Sequence, residues 1–194
     1  MLATVPNIPI VVDFKEPYFV MAPLAEDFSS GPHLFGCRYA CQLLDTLQAA
    51  HQAGYIHRDV RPANILRHGG NVLLVDWAFA VKVEKSEVPR PAVTFEGTVS
   101  CASDAQLDQL AALHTALVPR EADDLCALVR SVMLLYISGL PAALPPDENG
   151  MARAVALKEW WQKRQIGIWH ELNKAAEACE YAAMRDLFER VLLP

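Results

Sequence analysis

The sequence predicts an α+β domain, and three observations carry that expectation. Two short β-rich runs open the chain, IPIVVDF and YFVM. Two further apolar runs flank the pair Gly69-Gly70 as a hairpin. From residue 124 onward, helical periodicity dominates.

The elements follow in order. The first two runs are separated by the turn-like Lys15-Glu16-Pro17 and read as an antiparallel pair. A loop containing Ser29, Ser30, Gly31 and Pro32 comes next. From Leu34 to about Gln52, Ala40, Leu43, Leu44, Leu47 and Ala50 recur at the spacing of one helical face, and Gly54 supplies a left-handed stop. NILRH and NVLLVDW then flank the glycine pair, which tolerates the positive φ angles of a tight connection. That hairpin brings Asn64 and Asp76 near each other at its outer ends. Residues 79–107 lack a clear period and read as an extended loop. Asp124 to Ile137 is apolar nearly all round, and such a helix must be buried. After the break at Pro145-Pro146-Asp147, helices are expected over 151–165 and 175–192, the second with Tyr181, Met184, Phe188 and Val191 on one stripe.

At 194 residues and 53% apolar composition, the chain supports a single well-buried core. A net charge of −6 with scattered basic residues leaves no cationic face, so neither nucleic acid nor an anionic membrane is an expected partner. Cys37, Cys41, Cys101, Cys126 and Cys179 form no CxxC pair and are odd in number, which argues against a disulfide framework or a zinc site. A reducing intracellular compartment, cytoplasm or nucleus, is the expectation. The opening MLATVPNIPIVVDF has no basic region leading into a continuous apolar segment, so no signal peptide is expected. LCALVRSVMLLYISGL is interrupted by Arg130 and falls short of the ~20 residues that span a bilayer, so it reads as a core helix.

The chemistry concentrates in IHRDVRPANIL, residues 56–66, and in VDWAFA beyond the hairpin. Phosphoryl transfer from ATP requires a carboxylate to orient a hydroxyl and accept its proton, a cation near the γ-phosphate, and hard oxygen ligands for Mg2+. Asp59 suits the first task and Arg61 the second. Asn64 and Asp76 suit the third, since Mg2+ prefers carboxylate and amide oxygens while retaining waters.

These residues resemble a known family. His57-Arg58-Asp59 followed by Asn64 is similar to the catalytic loop of protein kinases, and Asp76-Trp77-Ala78 stands where their metal-binding DFG motif would. Val5-Pro6-Asn7-Ile8 resembles the HPNI segment of that family, and Tyr18 to Leu24 looks like its fifth strand and hinge. The resemblance implies Met21 as gatekeeper, Leu24 at the backbone position that contacts adenine, and Leu66 as the pocket floor. It implies that the threonine of Gly97-Thr98 bonds the catalytic aspartate, and that Asp124 braces the loop from below. The stretches Thr98–Ser103 and Ala122–Leu125 are similar to the casein-kinase-one group. ATP and Mg2+ are the implied cofactors, and a protein substrate with Ser/Thr hydroxyls, or a partner protein, the implied partner. The implied fold is a mainly helical C-terminal lobe over residues 25–194 with a remnant strand pair and hinge over 1–24.

The sequence also departs from the pattern. Arg61 stands where such kinases carry lysine; its planar fork contacts phosphate but is bulkier. Ala78 replaces a glycine and gives up easy access to positive φ. Ala105 replaces an acid, so the ion pair that usually anchors that loop cannot form from it. No GxGxxG occurs in the chain, and no lysine and glutamate correspond to the family's phosphate-gripping pair. Those features leave open a pseudokinase-like binding or regulatory module, with a partner covering the strands over residues 8–22 and the apolar Val11, Val12, Phe14 and Phe19. Thr94 and Ser100 read as ordinary loop hydroxyls, Cys37 and Cys41 as helix-face residues, and Trp160-Trp161 as packing.

Overall fold

The first two strands pair as expected: β1 (Ile10–Lys15) and β2 (Tyr18–Ala22) run antiparallel, with a register shift between Val11 and Asp13. The computed structural model describes residues 5–15, 18–28, 35–84, 89–145 and 150–192. The turn expected at Glu16-Pro17, the loop at 29–32, the Pro146-Asp147 break and the side chains of Val11, Val12, Phe14 and Phe19 lie outside what is described. Residue Asn7 ties the leading segment to the body: its carbonyl accepts from the Leu74 amide at 3.0 Å, and its Nδ2 donates to Thr46 Oγ1 at 3.2 Å. A two-way backbone bridge between Glu26 and Arg67 adds a second attachment.

Next, α1 (Cys37–Gln52) buries Ala40, Leu43, Leu44, Leu47 and Ala50, the face that the sequence marks as apolar. It stops at Gly54, where φ is +82° and a Cβ would sit 2.9 Å from the Val83 carbonyl oxygen. Glycine is therefore required twice, for the torsion and for the close approach. Short β3 (Tyr55–Ile56) leads into the charged loop, and β4 (Ile65–His68) and β5 (Asn71–Leu74) form the glycine-paired hairpin in the register Ile65↔Leu74. The return strand β6 (Val81–Lys82) pairs back on β3.

The stretch expected to be loop from 79 to 107 carries β7 (Val93–Thr94) and the start of α2 (Asp104–Ala111). This helix spans only two turns and buries Leu107 alone, so it offers little periodicity. Its start is nonetheless written in the chain: Ser103 caps the Gln106 amide, and Gln106 Oε1 accepts from the Ser103 amide, a complete capping box. Strand β8 (Ala116–Leu117) then pairs with β7.

The central helix is α3 (Glu121–Tyr136), in which every residue from Ala122 to Leu134 is buried. Around it pack α1 and α5 (Ile168–Glu177), while α4 (Gly150–Gln162) covers α2 and α6 (Tyr181–Val191) closes on α1 and α5. The helix expected over 175–192 starts later, as α6, because the chain turns at Cys179 with φ of 55°; residues 175–177 instead end α5, a helix the sequence reading did not expect. The break preserves burial: Leu172, Ala175 and Ala176 face the core from one helix, Met184, Leu187 and Phe188 from the next. Trp160 and Trp161 pack edge to face at 4.7 Å, as their burial implied. Among the described residues, no helix is long and apolar enough to cross a membrane.

Candidate active site

The charged loop hangs from α3. Asp124, 1% exposed, accepts from the His57 amide at 2.7 Å and the Arg58 amide at 2.8 Å. Two consecutive amides on one carboxylate fix the loop's entry, and Arg58 adopts a positive φ of 74° to present its N–H. This is the brace that the resemblance implied. Behind it lies a support that the sequence did not disclose: His51 of α1 meets Asp124 Oδ2 at 3.0 Å through Nε2, and Tyr181 Oη at 2.5 Å through Nδ1. Burial raises the Tyr181 phenol well above its usual value, so it stays a donor.

His57 is fully buried and serves the loop structurally. Its Nε2–H donates to the Val75 carbonyl at 3.1 Å, and its Nδ1 accepts from the Asp59 amide at 3.2 Å. That pattern needs the neutral ring. Burial lowers the His57 pKa, outweighing the upward pull of Asp124, Asp59 and Asp76. Asp59 and Asp76 thus lie within electrostatic reach of one imidazole. The Trp77 ring meets the same imidazole edge to face at 4.5 Å, which links the charged loop to the segment after β5.

Asp59 is 5% exposed, and both of its oxygens are engaged. Oδ1 accepts from the Thr98 hydroxyl at 2.6 Å and the Thr98 amide at 2.9 Å; Oδ2 accepts from Asn64 Nδ2 at 3.0 Å. Gly97 permits this contact, since a Cβ there would stand 2.5 Å from the Arg58 carbonyl oxygen. Asn64 Nδ2 also donates to the Asp59 carbonyl at 2.9 Å. With its amide nitrogen spent on two acceptors, its Oδ1 points away from Asp59 and takes no hydrogen bond from a described donor. The Asn64 carbonyl meanwhile accepts from the Val75 amide at 2.9 Å, which sets Asp76 one residue beyond that rung.

Asp76 is exposed and left-handed, φ 62° and ψ 64°, a conformation that a short polar side chain tolerates better than most. Its carboxylate makes no hydrogen bond to another described residue. An amide oxygen that takes no hydrogen bond from a described donor and an unengaged carboxylate at neighbouring hairpin ends fit a hard cation that keeps several waters. Among the described residues, no group of three or more His, Cys, Asp or Glu side chains is placed to hold a metal by itself. A cation held there would therefore need further ligands besides these two side chains.

The other expected site residues fall as follows. Arg61 is half-exposed, its Nε 3.4 Å from Asp59 Oδ2, at the mouth of the site. Leu66 is half-buried on β4, opposite Leu73. Met21 pairs with Val11 across the strand pair and is 43% exposed; Leu24 is 90% exposed, and its carbonyl accepts from His68 Nδ1 at 2.7 Å. Arg58 ties two further segments together, donating to the Phe79 and Thr94 carbonyls.

The loss of the acid at Ala105 is offset from a neighbouring position. Asp104 forms an ion pair with Arg130 Nη2, and Arg130 is fully buried with its guanidinium 5.1 Å from the Trp161 ring centroid. The Trp161 indole donates to the Ser100 carbonyl at 2.8 Å, and Ser131 Oγ donates to the Val60 carbonyl at 3.2 Å. Successive residues of α3 thereby hold the Thr98 loop and the Asp59 loop against each other. Sequence reading treated Arg130 only as an interruption of an apolar run. A charge in the middle of a helix that must be buried was the signal, because such a charge needs a partner.

Comparison with known proteins gives a consistent outcome. No family model matches the chain. It is 37% identical over 70 residues to serine/threonine-protein kinase PKH3 of Eremothecium gossypii, a match covering 34% of this chain and 10% of that protein. It is 37% identical over 57 residues to serine/threonine-protein kinase ppk31 of Schizosaccharomyces pombe, covering 29% of this chain and 6% of the relative. Rho-associated protein kinase let-502 of Caenorhabditis briggsae matches at 40% over 53 residues, 27% of this chain and 4% of its own length. The matched stretches are thus small parts of long proteins. The solved structure of vaccinia related kinase 3 superposes with a TM-score of 0.66 over 97% of this chain and 68% of that one, at 20% identity. Loop geometry, segment order and superposition agree: the chain is a protein-kinase-like domain with an α+β fold.

Proposed function

We propose that this domain transfers the γ-phosphoryl group of ATP to Ser/Thr hydroxyls of a protein substrate. The observation that supports this most is the chain of contacts from Asp59 through Asn64 to the Val75 amide, with Asp76 the next residue in the chain. In this reading Asp59 orients the acceptor hydroxyl and takes its proton, with Thr98 and Asn64 fixing the two carboxylate oxygens. Asn64 Oδ1 and the Asp76 carboxylate would hold Mg2+, which neutralises developing phosphate charge when bound. Arg61 faces the γ-phosphate. Met21, Leu24 and Leu66 contact the adenine, so residues 1–24 act as strand remnant and hinge and residues 25–194 as the catalytic lobe. The five cysteines are all free thiols, which supports a reducing intracellular setting.

A second reading is favoured by a different observation. Among the described strands, β1 and β2 hydrogen-bond only with each other, so their outer backbone edges are available to another chain. In that case the domain is a pseudokinase-like binding or regulatory module, its strands over residues 8–22 covered by a partner protein. Nucleotide binding separates the two. Mg2+-ATP raised to about a hundred times its dissociation constant is expected to stabilise the fold by ~2.7 kcal/mol, read as a rise in Tm that requires Mg2+. An unchanged Tm at saturating nucleotide would favour the binding module.

A further inference from the structure

Beside Asp59 the surface opens into a cavity of about 520 Å³. Arg61 and Thr98, the two lining residues that touch Asp59, form its near wall. Away from them the lining turns apolar, with Phe28, Ala63, Leu134, Ile137 and Leu144. Its charged members are one acid and one base, Asp27 and Arg61, so the cavity carries no excess charge to recruit a charged side chain. Its volume exceeds what one water or ion needs and falls within the range of built ligand sites.

We propose that this cavity is a specificity subsite that takes an apolar side chain of the acceptor polypeptide, close in sequence to the hydroxyl residue. The assignment rests on the phosphoryl-transfer reading for the position of that hydroxyl at Asp59. The cavity adjoins Asp59 directly through Thr98, and an extended peptide advances about 3.3 Å per residue. A side chain one to three residues from the acceptor therefore reaches the opening. A leucine there gains from leaving water, whereas an arginine or glutamate loses hydration without a matching partner on the apolar wall.

The probes are serine peptides of one alanine-rich frame, with leucine, arginine or glutamate placed in turn at each of three positions on either side of the serine. Binding is read by fluorescence anisotropy without nucleotide, and transfer of labelled phosphate is read in parallel with Mg2+-ATP. At one position the leucine peptide is expected to bind roughly tenfold or more tightly than its arginine and glutamate counterparts. Ala63→Glu places a carboxylate on the wall at an exposed residue and is expected to shift the preference to arginine. Leu144→Glu is the second variant, and an unchanged Tm qualifies either one. Equal binding of all three peptides at every position, or a leucine preference untouched in both variants, would overturn the subsite. Leucine-selective binding that Ala63→Glu reverses, with no phosphate transferred, would uphold the subsite and remove the catalytic reading. Transfer without any preference would do the opposite.

Discussion

Asp124→Ala is expected to destabilise the domain by about 4 kcal/mol, a large share of the ~5–15 kcal/mol typical of a folded protein. The carboxylate is 1% exposed and meets three donors: the His57 amide, the Arg58 amide and His51 Nε2. Alanine leaves those donors buried without an acceptor, each costing roughly 1–3 kcal/mol if no water enters. Asp124→Asn should fall between, since one oxygen survives while the new NH2 faces another N–H. The acid limb of stability should change too. Burial alone would raise the Asp124 pKa, but the hydrogen bonds from His51 and from the Arg58 amide hold it below its ordinary 3.8. Its contribution is therefore present above pH 3.8 and lost as pH falls through the lower, folded value. Urea denaturation at neutral and acidic pH measures both effects. A loss under about 1 kcal/mol in Asp124→Ala would show that the loop does not depend on this brace.

Asp59→Asn is expected to reduce phosphate transfer by a factor of about 10²–10⁴, the usual contribution of a positioned general base. The fold should survive, because Thr98 can still donate to the retained oxygen while only the Asn64 contact becomes a donor–donor clash. The measurement is single-turnover transfer of labelled γ-phosphate to a serine peptide, with Tm recorded alongside. Transfer at the wild-type rate in a folded Asp59→Asn protein would remove Asp59 from the reaction.

Much of this arrangement was legible because it depends on local chemistry. The glycine pair fixed the β4–β5 hairpin, and the hairpin in turn fixed the proximity of Asn64 to the residues around Asp76. The buried α3 followed from an apolar pattern with no polar face. What stayed hidden depends on contacts between distant segments. His51, Tyr181 and Asp124 are separated by 73 and 130 positions from their partners, and nothing in their surroundings marks them as a set. The Arg130–Asp104 pair was half legible, as a charge without a stated partner. Helix α5 and the turn at Cys179 that separates it from α6 were not legible at all, since no glycine or proline marks that turn.

The convergence of Asp59, Asn64 and Asp76 on one metal–nucleotide point is tested most directly by replacing Mg2+ with paramagnetic Mn2+ in the presence of ATP and following the backbone amide resonances. Broadening is expected first at Asn64, Val75, Asp76 and Thr98, and it should disappear in Asp76→Asn. Broadening centred on a distant acidic residue such as Asp108 or Glu159, or none at saturating ATP, would contradict a shared site.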